Sequence, residues 1–213
     1  ISDGSIWNNT ENLWVGYGAD GSVFSIVNAG TNIMTGNAYI GNTNTANNQV
    51  RIEGTDSLWD IGGSLVIGNG SNSVDNSVSV SEGGQVEVGG NVTLNTGNAL
   101  SLASGGSMQV DGNMNIYSNS SLTGTGTILL GTNDSELVFN GAGIGISTNL
   151  LFDGGAGNNM ISVNDGSFTV YGSSDLQYTK FQALTLANST LGGYGTLSFD
   201  SINMSGGEID TFG

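Results

Sequence analysis

The chain has 213 residues, and Gly, Asn, Ser and Thr make up slightly more than half of them, with 37 glycines and no proline. Against 18 acidic side chains stand only Arg51 and Lys180, a formal charge of −16 that repels nucleic acid and anionic membrane surfaces. Cysteine and histidine are absent, which excludes disulfides, thiolate metal sites and the commonest general base and zinc ligand.

Good helix formers are scarce, whereas Val, Ile, Leu, Phe and Thr recur in short runs closed by Gly or Asn, so strands joined by small polar turns are expected. The 37% of hydrophobic residues fall at regular intervals and can bury a thin, long core, which separates this composition from a disordered one. No stretch approaches the ~20 apolar residues that cross a bilayer. The first residues, Ile1-Ser-Asp-Gly-Ser, lack a basic segment followed by an apolar one, so the sequence reads as a mature or excised piece.

In chain order, residues 1–22 carry Trp7, Trp14 and Tyr17 and are expected to cap a repeat array or to begin it as a partial coil. Residues 23–131 hold the array itself. Segments starting at Val50, Val78 and Leu100 align, and one starting at Phe24 aligns less well. Each unit has three apolar-x-apolar pairs, as in Val78/Val80, Val86/Val88 and Val92/Leu94, then Leu100/Leu102, Met108/Val110 and Met114/Ile116. Residues i and i+2 of a strand share a face, so each pair is the inward surface of one short strand. The predicted fold is all-β: a parallel β-solenoid (β-helix) with three-stranded triangular coils of about 22 residues, roughly nine coils spanning about 45 Å.

The corners follow from the same alignment. The second holds three residues, Gly89-Gly90-Asn91 or Asp111-Gly112-Asn113, a bend expected to use residues that tolerate positive φ. The third is short after Leu94 but long and polar after Ile40 and Ile67, so it protrudes from one edge, either as a binding side or as a solvated loop. Asn32 falls where the other units have Trp59, Val86 and Met108, and a bulge placing Ile33 inward is expected there. Over residues 132–213 the pairs persist with irregular corners, in Leu137/Phe139, Ile144/Ile146, Leu150/Phe152, Phe168/Val170, Leu184/Leu186 and Leu197/Phe199, after Ile128/Leu130.

Units such as VSVSEGGQVEVGGNVTL and VGYGADGSVFSIVNAG, with the aliphatic-Gly endings Val15-Gly16, Ile40-Gly41 and Ile67-Gly68, resemble the repeats of bacterial autotransporter passengers and PEP-CTERM surface proteins. SLTGTGTILL, from Ser121, resembles a coil of the same passengers. The resemblance implies export, a β-helical stalk, and a role in adhesion, aggregation or surface display. The outer-membrane barrel and the sorting segment of those families are not in this sequence.

Chemistry is narrowly bounded. A polysaccharide lyase needs a basic group and cations against a uronate, and Arg51 and Lys180 lie about six coils apart. A hydrolase needs two carboxylates about 5–9.5 Å apart, for which Glu82 or Glu87 with Asp111 are the candidates, though solvated surface acids fit equally. The segment from Asp153 through Ile161, with Asp165 nearby, faintly resembles a calcium turn but reads better as a plain corner. The expectation is therefore a non-enzymatic extracellular or cell-surface rod with no catalytic, cofactor or metal residues. Its expected partners are an extracellular surface or a glycan, and its own coil ends, with neither nucleic acid nor membrane insertion. The alternatives are a filament stacked head to tail and, behind it, a polysaccharide-active enzyme.

Overall fold

The computed structural model describes residues 1–131, 134–146, 150–155, 157–171, 178–179, 181–194 and 199–211. Lys180 and Leu197 lie outside the described residues, as do the side chains of Ile146, Phe168 and Val170.

Every strand pair among the described residues is parallel, and the strands fall into three sheets in which each neighbour lies one turn along the chain. The first sheet has eight strands, running from Ile6–Asn9 to Tyr178–Thr179. The second has ten, nine along its main path and one, Ser201–Thr211, paired off it, and it starts at Leu13–Tyr17. The third has six, from Val23–Val27 to Gly145–Ile146. The chain is a parallel β-solenoid of about 7 turns with roughly 24-residue spacing. The spacing is longer than the expected 22 residues, because the long third corners widen the early turns. At ~4.8 Å per turn, about 7 turns span about 35 Å.

The repeat alignment is reproduced by the strand register, with Phe24 beside Val50, Val50 beside Val78 and Val78 beside Leu100. Inward positions therefore stack in columns. Trp59, Val86, Met108, Ile128 and Phe152 form one, and each is at most 1% exposed. Fully burying one such side chain contributes about 1.5–3 kcal/mol, and no single turn could supply its own core. The pairs Leu137/Phe139, Leu150/Phe152 and Leu184/Leu186 are buried in the same core.

Two expectations are corrected by geometry. At Asn32 there is no bulge: Asn32 pairs with Trp59 and Ile33 with Asp60, so the asparagine is fully buried and Ile33 faces out, 38% exposed. Burial of Asn32 is supported by its side-chain nitrogen, which donates to the Trp7 carbonyl at 2.9 Å. At the second corner, Gly89, Gly90 and Gly112 do not adopt the left-handed conformation. Close approach to the preceding turn is what requires them. A Cβ on Gly112 would sit 2.4 Å from Asn91 Oδ1, and one on Gly90 2.6 Å from Ser64 Oγ.

Near the C-terminal end the corner between the second and third sheets tightens. Met160–Asn164 and Ser167–Tyr171 both pair with the single strand Ala183–Tyr194, which in turn pairs with Ser201–Thr211. Asp165, Asn188 and Gly206 take positive φ at successive levels of this bend, so the chain turns without leaving the ladder.

Candidate functional site

The connection from the second sheet to the third is the most elaborate part of the molecule. Asn48, Asn76 and Asn98 stand one above another at its end, all buried to 2% exposure or less. Their side chains form a continuous ladder. Asn48 Nδ2 donates to Asn76 Oδ1 at 2.8 Å, and Asn76 Nδ2 donates to Asn98 Oδ1 at 3.0 Å. Each Oδ1 also accepts a main-chain N–H from the preceding turn: Ser22 to Asn48, Asn48 to Asn76, and Asn76 to Asn98. Asn98 Nδ2 ends the run on the carbonyls of Ser73, Asn95 and Thr96. Buried amides are tolerated here because nearly every donor and acceptor is used.

This ladder explains the aliphatic-Gly endings. Gly16, Gly41 and Gly68 have φ of +82°, +70° and +83°, and a Cβ on each would lie 2.1–2.4 Å from the side chain of Asn48, Asn76 or Asn98 respectively. One turn further on, Asn95 replaces the glycine, and the ladder position is taken by the smaller Ser120. A second, more exposed ladder marks the corner between the first and second sheets. There the N–H groups of Asn37, Ser64, Asn91, Asn113 and Glu136 donate to the side-chain oxygens of Asn12, Asn37, Ser64, Asn91 and Asn113.

The third corner also steps down in length, from residues 70–76 to residues 95–98 and then 118–120. The longer loop overhangs the shorter ones and leaves a polar cavity of about 290 Å³ lined by Gly70, Ser71, Asn95, Thr96 and Tyr117. Its walls are fixed by the hydrogen bonds from Asp75 N to Gly97 O at 2.8 Å, Asn98 Nδ2 to Ser73 O at 2.8 Å and Asn95 Nδ2 to Gly68 O at 2.8 Å. Ser73 Oγ is buried without a partner, and the position of a Cβ on Gly70 would be 3.0 Å from it. A groove of about 220 Å³ crosses the outer face of the first sheet along Gln85, Glu87, Ser107, Gln109 and Leu129.

The residues weighed for chemistry are placed as follows. Arg51 faces out from the third sheet between Ser25 and Ser79 and donates to Gln49 Oε1 at 3.1 Å. Glu87 stands in register with Asp60 and Gln109, not with Asp111, whose carboxylate accepts from Gln109 at 3.0 Å. Glu82 sits in a turn with φ of +54°. Asp153 accepts from the Gly155 N–H, Asn159 Nδ2 donates to the carbonyls of Gly131 and Gly154, and Asp165 accepts from Asn188. Among the described residues no group of three or more acidic side chains gathers where it could hold a metal ion. Trp7 and Trp14 belong to the first strands of their sheets, with Trp7 edge-on to Phe24 and Trp14 stacked on Tyr39 at 4.0 Å between centroids.

Sequence reasoning located the third corner but not the ladder or the cavity. A signal for the ladder was present: Asn48, Asn76 and Asn98 each precede a repeat start, Val50, Val78 and Leu100, by two residues. The cavity had none, because it depends on loop length in one turn and an aromatic in another.

Fold and geometry define the class, a parallel β-solenoid. No family model, no curated protein and no solved structure matches the chain.

Proposed function

We propose that this chain is a non-enzymatic rod, a stalk or display element with an adhesive role at an extracellular or bacterial cell surface. The observation that carries the reading is how its polar side chains are used: the buried amides join one turn to the next, making a continuous hydrogen-bonded shaft around one core. The charge of −16, carried mostly on outward positions, suits a soluble surface. The resemblance of the repeats to autotransporter passengers and PEP-CTERM surface proteins supports the same reading.

Electron microscopy of the purified chain at high concentration tests it, with isolated rods about 35 Å long as the expected outcome. Protease shaving of intact native cells should release the chain into the medium. Retention inside the cell, or turnover of pectin or alginate by the purified chain, overturns the proposal.

A filament is the second reading, favoured by exposed apolar side chains at both described ends of the stack. Ile6, Tyr17 and Val23 are 61–70% exposed on the first turn, and Ile202, Met204 and Ile209 are 44–50% exposed on the last strand. Strand edges of this kind are templates for another chain.

A further inference from the structure

We propose that the ledge cavity of the third corner is a binding subsite for a neutral saccharide, one or two pyranose rings of a surface glycan. This rests on the adhesive reading above and gives it a location. The cavity exists because the 70–76 loop overhangs a corner of four residues, 95–98, and the hydrogen bonds of Asp75, Asn95 and Asn98 hold that overhang in place. A site built this way is preorganised, so a ligand need not bear the cost of ordering a loop.

The lining chemistry selects the ligand class. Ser71 and Thr96 offer hydroxyls, each able to donate and accept. Asn95 has its amide nitrogen bonded to Gly68, leaving Oδ1 as an acceptor. Tyr117, 38% exposed, supplies a ring against which the C–H face of a sugar can lie. No lining residue is charged, so neither a carboxylated ligand nor a metal ion meets an opposite charge there. Within a chain of net charge −16, an anion is further disfavoured. The volume, about 290 Å³, lies at the small end of ligand sites and matches a terminal ring or two.

The test is a titration of the full chain with maltotetraose, cellotetraose, mannotetraose and chitotetraose, and with tetragalacturonate as the anionic comparison, followed by amide chemical shifts. At least one neutral tetramer should shift the amides of Gly70, Ser71, Thr96 and Tyr117. Tyr117→Ala should then weaken binding ~10-fold, Tyr117→Phe should retain it, and Ser71→Trp should block it by filling the ledge. The site is overturned if tetragalacturonate binds instead, if the shifts map elsewhere, if Tyr117→Ala and Ser71→Trp bind like the parent, or if no tetramer binds up to about 10 mM. Any of these results with isolated rods and surface release intact removes the site while leaving the stalk. Loss of rods or surface release removes the stalk.

Discussion

Asn76 shows how one side chain can bind three turns together. Its Oδ1 accepts from the main chain and the side chain of Asn48, and its Nδ2 donates to Thr45 O and Asn98 Oδ1. Asn76→Ala leaves a buried N–H of the preceding turn without an acceptor, and urea unfolding should register a loss of about 3 kcal/mol. Gly41 is coupled to the same amide. Gly41→Ala imposes a Cβ at φ +70° within 2.4 Å of Asn76 Nδ2, for an expected cost of about 2–4 kcal/mol. Adding Asn76→Ser to Gly41→Ala should cost less than the sum of the two single changes, as the natural pairing of Asn95 with Ser120 suggests. Strict additivity in that double-mutant cycle would mean that the glycine is required for φ alone.

At the scale of the strand, Leu58–Ile61 is the one that departs most from its neighbours. Trp59 shares its column with Asn32, Val86, Met108, Ile128 and Phe152, and it is fully buried with its Nε1 unpartnered. Phe24 packs edge-on against it at 5.9 Å, so the large ring is accommodated across the width of the coil. Trp59→Ala should cost about 3–5 kcal/mol by thermal or urea unfolding, through the cavity it leaves. Trp59→Phe should cost under about 1.5 kcal/mol, since it removes the unpaired N–H while keeping most of the ring volume. A Trp59→Phe loss as large as that of the alanine variant would show that the indole nitrogen has a partner that matters.

For the molecule as a whole, charge and edges govern association. Titrating the carboxylates toward the sequence pI of about 4.1 removes the repulsion between rods, so turbidity should rise as the pH falls from 7 and peak near that value. Turbidity independent of pH would mean that apolar edges dominate. If filaments form, Ile202→Lys, on the exposed strand Ser201–Thr211, should abolish them while the circular dichroism spectrum stays that of the parent, because an edge lysine blocks pairing without entering the core. Filaments that persist with Ile202→Lys would place the contact at another surface.

The sequence by itself determined the class of fold, the three strands per turn and the register, because a two-residue inward surface repeats wherever a strand must face the core and slippage by one residue would expose it. Its lack of cysteine and histidine excludes disulfides and thiolate or imidazole metal ligands directly. Where sequence reasoning erred, at Asn32 and at the glycines of the second corner, the deciding contact came from another turn: the Trp7 carbonyl in the first case, and in the second Asn91 Oδ1 and Ser64 Oγ. The number of residues per turn was underestimated because corner length is not constrained by the core. Only the tertiary structure decided the asparagine ladders and the ledge at Tyr117, since both arise between residues about one turn apart or more, whose stacking at ~4.8 Å exists only once the coil has closed.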